Sequence, residues 1–135
     1  MDTILGYDLF FWIKIFSTAF TAILFLQSSL DKIFNYADNL SFLKSHFSNS
    51  PLAALTPVLL PVITLLESLA GWLCGIGLFF LIFKAEESLA VWGHIIAMKA
   101  IVALFFGQRL AKDYAGAAAL TPYFLYLLFV LYIFS

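Results

Sequence analysis

Charge is what this chain has least of. Of its 135 residues, 11% are charged and 64% are hydrophobic, where a soluble domain carries about 25% charged and about 45–50% apolar residues. Too few polar groups are present to cover a water-facing surface, so a soluble globular domain is excluded. A basic excess is missing too: the net charge is −1, which removes the electrostatic footprint that nucleic acid would need. The single cysteine, Cys74, can form neither an internal disulfide nor a CxxC redox pair. The first residues lack a basic stretch and a small-x-small cleavage pattern. Their charges are acidic, Asp2 and Asp8, so the first apolar segment reads as a retained span.

What is present is apolar sequence in long runs. A helix needs about 20 apolar residues to cross roughly 30 Å of hydrocarbon, and four stretches meet that, at about 9–30, 58–83, 88–106 and 115–135. Only Lys14, Glu67 and Lys99 are charged within them, so twelve of the fifteen charges fall between or outside the spans. A soluble helix would repeat charges along one face every three or four residues. Length and short connections predict one all-α domain over 1–135, an antiparallel four-helix transmembrane bundle. Pro57 and Pro61 fall at the start of the second span, where missing amide donors matter little. Pro122 leaves too few residues after it to cross alone, so the fourth helix begins earlier and bends there.

The stretch from Asp31 to Ser50 is the one sizeable connection. Leu40, Leu43 and Phe47 recur there at helical spacing among Asn39, Ser41, Lys44, Ser45 and His46, which predicts a short amphipathic interfacial helix. An even number of spans places both termini and the Lys84–Glu87 turn on one side. The 31–53 and 107–114 connections, with Lys32, Lys44, Arg109 and Lys112, share the other. The positive-inside rule then sets the termini outside the cytoplasm.

A carboxylate near mid-membrane costs roughly 2.5–3.5 kcal/mol on insertion scales, so it is expected to face the bundle with a partner. Glu67 is that group. Lys99 lies at a similar depth in the next, antiparallel helix, and depth alone suggests a Glu67–Lys99 pair; snorkelling of Lys99 to the interface is the alternative. Gln27, Ser28, Asp31, Lys32, Gln108, Arg109, Asp113 and Tyr114 gather at the same end, either as a polar pocket for a ligand or partner or as ordinary interfacial caps. His94 stands apart toward the opposite end as a packed residue, with no carboxylate or cysteine at ligand spacing, so no metal is expected. Gly71 and Gly75 form a GxxxG in line with Glu67, which marks that face for close helix packing. The tryptophans and tyrosines are partly interfacial anchors.

Three motifs carry a family resemblance: FLQSSLDKIF closing the first span, LLESLAGWLCGIG in the second and GQRLAKDYAGAAAL before the fourth. The chain resembles the DoxX/DoxD-like group of small four-helix membrane proteins over essentially its whole length. Lys32 and Ile33 match the first motif, with Ser29 where the family usually has glycine. Glu67, Gly71 and Gly77 match the second, and Asp113, Ala115 and Gly116 fit the third loosely. The resemblance implies a bacterial inner-membrane protein that serves as an accessory subunit or scaffold of a redox-associated envelope complex. Its partners would be the lipid bilayer and another membrane or envelope protein, and self-association stays open. The alternative is a quinone- or sulfur-compound-linked oxidoreductase subunit with Glu67 moving a proton. There a quinone is the one cofactor implied, because the chain holds no flavin or haem signature and no dithiol. A proton or solute carrier built around Glu67 is a third class.

Overall fold

The computed structural model describes residues 3–4 and 6–135, with side chains from Gly6 onward; Asp2 lies outside the described residues. A two-residue hairpin comes first. Strands β1 (Thr3–Ile4) and β2 (Tyr7–Asp8) pair antiparallel, and Gly6 in the turn sits at φ +85°. Asp8 then caps helix α1 (Leu9–Phe34), its carboxylate accepting from the Phe11 amide at 2.8 Å. Helix α2 (Tyr36–His46) and a short 3₁₀ turn (Ala53–Leu55) lead to α3 (Thr56–Lys84). Helices α4 (Ser88–Leu110), α5 (Tyr114–Ala119) and α6 (Thr121–Phe134) complete the chain.

Four segments are long and apolar enough to cross a membrane: α1, the 3₁₀ turn with α3, α4, and α5 with α6. Pro122, at the first turn of α6, marks the break between α5 and α6. Pro61 differs from the sequence expectation. Helix α3 begins at Thr56, so Pro61 lies inside it and leaves the Pro57 carbonyl without its usual intrahelical donor. The ends of α3 and α4 meet through Ala85, which adopts the left-handed conformation at φ 50° and closes α3.

Each helix packs on its sequence neighbour across the membrane, α1 on α3, α3 on α4 and α4 on α6, and α6 closes the ring against α1. The beginning of α1, the α3–α4 turn and the end of α6 share one end, because Lys14 bonds Glu87 and lies over the Phe134 ring. The packing is inverted relative to a soluble bundle. Small and polar side chains such as Thr18, Thr21, Ser29, Ala70, Cys74, Ala90, Ala97 and Ala100 share the interior with Phe25, Leu60, Leu81, Ile101, Leu127 and Val130. Phe16, Ile23, Leu65, Phe79, Phe106 and Phe129 face outward. Water would penalise that arrangement heavily and lipid tails do not, so the chain is an integral membrane protein.

Small residues set how closely the helices approach. A Cβ added to Gly71 would lie 2.8 Å from the Leu26 amide nitrogen, which brings α3 against α1. At Gly77 it would lie 2.6 Å from the Ala90 amide nitrogen, and at Gly93 2.6 Å from Cys74 Sγ, so α3 and α4 interlock along their length. Gly75, paired with Gly71 in the sequence motif, meets only Leu26 Cδ1 at 3.9 Å. It is not a close-approach position.

Helix α2 rests on α3 and α1 with none of its own residues buried. Leu40 and Leu43 are half-buried while Ser41, Lys44 and Ser45 are exposed. Phe47, just beyond α2, is buried against Gly107 near the end of α4. The amphipathic segment is thus a lid element tied down at one side.

Candidate functional site

Glu67 is buried in the bundle, with 1% of its side chain exposed, and its partner is Lys32. The Lys32 ammonium donates to Glu67 Oε2 at 3.2 Å and to Ser28 Oγ at 2.9 Å. Helix periodicity explains the pairing. Thr18, Thr21, Phe25 and Ser29 form the buried ridge of α1, and Lys32 continues it at i+3 from Ser29. Its amine therefore reaches inward to a carboxylate one turn ahead of the α1–α3 close approach at Gly71.

The Glu67–Lys99 pair expected from depth is not formed. Buried residues of α4 run Ala90, Gly93, His94, Ala97, Ala100 and Ile101, and Lys99 falls outside that stripe, on the exposed face. It stands at the midpoint of α4, and it makes no hydrogen bond or ion pair to any described residue.

The remaining residues of the expected cluster divide into separate groups. His46 Nε2 approaches Gln108 Oε1 at 2.6 Å and Asp113 Oδ2 at 3.6 Å. Asp113 caps α5 by accepting from the Gly116 amide at 2.9 Å. A Cβ at Gly116 would come 2.5 Å from Asp113 Oδ2 and 2.8 Å from Gln108 Nε2, so both side chains would have to shift to admit one. This group ties α2 to the α4–α5 connection. Arg109 stacks over the Tyr114 ring at 4.5 Å, on the surface. Asp31 accepts from Asn35 in water-facing positions, and Gln27 is exposed on α1. The contacts thus divide these residues into separate groups.

The other half of the bundle holds a polar site that the sequence reading passed over. His94 is fully buried. Its Nδ1 lies 2.7 Å from the Ala90 carbonyl and must carry a hydrogen, while Nε2 lies 3.0 Å from Thr21 Oγ1. Tyr126 donates to the Ser17 carbonyl at 2.7 Å and lies 2.9 Å from Thr21 Oγ1. With Nδ1 carrying the hydrogen, Nε2 can only accept, and the single Thr21 hydroxyl hydrogen is shared between Nε2 and the Ser17 carbonyl, which lies 2.9 Å from Thr21 Oγ1. Cys74 Sγ sits 3.9 Å from Nδ1. This network links α1, α4 and α6 beside α3, and the buried Thr18 hydroxyl near it in sequence has no hydrogen-bond partner among the described residues. The small-residue stripe Ala90–Gly93–Ala97–Ala100 was the signal that turned His94 inward. No three of the described His, Cys, Asp or Glu side chains gather closely enough to hold a metal ion.

Outside the bundle, two adjoining grooves run along α4 and α6. One, of about 490 Å³, is walled by Ile95, Met98, Lys99, Phe106 and Leu131 among others. The second, of about 300 Å³, includes Phe105, Leu120, Thr121 and Phe124, and Val102 lines both.

No family model, curated protein or solved structure matches the chain. The geometry therefore stands alone. Among the described residues it holds the Glu67–Lys32 ion pair, which ties α1 to α3, and the His94–Thr21–Tyr126 network, which ties α1, α4 and α6.

Proposed function

We propose that the protein is an accessory membrane subunit or scaffold of a redox-associated envelope complex, as its resemblance to the DoxX/DoxD-like group implies. The observation that carries this reading is the closure of Glu67 by Lys32. A carboxylate that already holds its counter-ion between two helices acts as a structural lock, and truncating either partner leaves a charge buried alone. A bacterial inner membrane with both termini outside the cytoplasm belongs to the same proposal. It is supported by Lys32, Lys44, Arg109 and Lys112 at one end of the bundle.

A second reading, a quinone- or sulfur-compound-linked oxidoreductase subunit, draws on the His94 network, where hydroxyl and imidazole groups stand at proton-passing distance. A quinone would need donors for both of its carbonyl oxygens. Each groove has one polar side chain, Lys99 or Thr121, so neither fits a quinone well.

Glu67→Gln separates the two readings. For a scaffold, the variant lowers the yield of the assembled complex on native gels, while each complex that forms keeps full turnover. Loss of turnover in complexes that assemble normally would overturn the scaffold reading in favour of proton handling.

A further inference from the structure

The network around His94 is short of hydrogens. Its contacts run from Nδ1 to the Ala90 carbonyl, from Nε2 to Thr21 Oγ1 and from Thr21 Oγ1 to the Ser17 carbonyl. The Tyr126 hydroxyl adds contacts to both Ser17 and Thr21. A neutral imidazole, a threonine and a tyrosine bring one hydrogen each to these five contacts. A proton on Nε2 supplies another. Nε2 then donates to Thr21, Thr21 turns its hydrogen wholly to Ser17, and no heavy atom has to move.

The surroundings can carry the added charge. Cys74 on α3 lies 3.9 Å from Nδ1, and Tyr126 on α6 is reached through Thr21; both side chains are neutral in their protonated forms. The charged groups toward the same end are Lys14 on α1 and Glu87 just before α4, and they pair with each other. Among the described residues no carboxylate bonds the imidazole. The charge is instead shared by the Ala90 carbonyl, the Thr21 oxygen and the Phe134 ring, whose centroid is 5.6 Å from that of His94.

Phe134 also marks the way in. Lys14 Nζ lies 5.5 Å from the centroid of the same half-buried ring, so one aromatic side chain neighbours both the buried imidazole and the ion pair at the bundle end. Lys14, Thr18 and Thr21 follow one another at i, i+4 and i+7 along one stripe of α1. Thr18 is roughly 6 Å along the axis from Lys14 and roughly 4.5 Å from Thr21. Its hydroxyl is buried with no hydrogen-bond partner among the described residues, which makes it a polar step between the two. On the other side the apolar cluster of Phe25, Ala97, Ile101 and Leu127 closes the interior.

We infer that His94 is a proton-binding site inside the membrane, reached from the Lys14–Glu87 end of the bundle past Phe134. An acid in the water at that end gives up its proton, an N–H bond forms at Nε2, and the conjugate base stays outside. This site shares no residue with the Glu67–Lys32 pair, so it stands or falls apart from the accessory-subunit reading.

Nitrogen NMR of the full chain, labelled with ¹⁵N-histidine in phosphatidylcholine vesicles, tests this. His46→Asn removes the signals of the one other histidine. Near neutral pH, His94 is expected to carry hydrogen on Nδ1 alone. Between about pH 8 and about pH 4, a second N–H should appear on Nε2 while circular dichroism stays that of the folded chain. Thr21→Val, which removes the oxygen that accepts from Nε2, should suppress that form, and Thr21→Ser should keep it. Phe134→Ala should speed exchange of the His94 hydrogen with deuterated water about 10-fold or more, whereas Leu127→Ala, on the closed side, should not; Phe134→Leu serves if the alanine variant does not fold. A His94 that stays singly protonated at every pH where the chain is folded would overturn the inference. So would protonation unchanged by Thr21→Val, or equal acceleration of exchange by the Phe134 and Leu127 variants, which would mean general loosening without a route at that end.

Discussion

Glu67 stands eleven residues from Thr56 and Lys99 eleven residues from Leu110, the ends of α3 and α4 that share one side of the bundle. Each is a charge set deep in an apolar span, and each carries a similar insertion cost of roughly 2.5–3.5 kcal/mol. Their fates differ completely. Glu67 turns into the bundle and meets Lys32 at 3.2 Å, so its cost is offset within the fold. Lys99 turns outward and meets no counter-charge among the described residues. A difference in rotation about the helix axis, with no difference in depth, separates a structural lock from an unanswered charge. The lesson is that depth says whether a charge is expensive, and azimuth says who compensates it.

The largest effect should come from breaking the inner pair alone. Lys32→Met strands Glu67 and is expected to lower unfolding stability by about 3 kcal/mol, read as a lower melting temperature in detergent micelles. Lys32→Met with Glu67→Leu removes both charges and should recover most of that loss. Lys99→Met should leave the isolated protein as stable as before or slightly more so. If Lys99→Met destabilised the chain as Lys32→Met does, the contrast between the two positions would collapse.

A second comparison sharpens the inner-versus-outer distinction through packing. Gly77→Ala forces a methyl against the Ala90 backbone and should cost about 2 kcal/mol. Gly75→Ala meets only ordinary van der Waals distance and should be neutral or mildly stabilising, as alanine favours helix. Equal losses at the two glycines in the same melting assay would mean that the α3–α4 interlock is not what holds the bundle.

The smallest effect concerns a carboxylate outside the membrane. Glu86, fully exposed, accepts from the Ser88 hydroxyl at 2.6 Å and the Ser88 amide at 2.9 Å, and the hydroxyl bond foremost holds its carboxyl below the usual range. Because the folded value is the lower one, this contribution is present above the unfolded pKa and is lost as pH falls through the folded pKa. Ser88→Ala should move the Glu86 titration back up toward an ordinary glutamate, observable by carboxyl-carbon NMR. No upward movement would mean that water already solvates this group as well as Ser88 does.

Much of the architecture was legible from composition. The four spans follow from where charges are missing, and the helical stretch at 36–46 follows from the spacing of Leu40, Leu43 and Phe47. The partner of Glu67 was not read correctly, because counting residues along a helix fixes level and leaves rotation open. Rotation was nonetheless encoded. The ridge of Thr18, Thr21, Phe25 and Ser29 points Lys32 inward, and the Ala90–Gly93–Ala97–Ala100 stripe points Lys99 outward. Small residues mark the buried face in a membrane bundle, where large apolar residues mark it in water. The His94 network escaped for a further reason: Thr21 and Tyr126 lie 105 residues apart, and nothing local in either segment announces the other. His46 likewise finds Gln108 only once α2 has folded back over the end of the bundle.

The seat of Cys74 has its own consequence. Its sulfur occupies the space that a side chain at Gly93 would need, and it is fully enclosed. An alkylating maleimide small enough to enter the bilayer still cannot touch it while α3 and α4 stay seated. The chain's lone thiol is therefore a native clock for that hairpin: at reagent concentrations high enough that alkylation outpaces reclosing, the rate at which it is modified is the rate at which the two helices part.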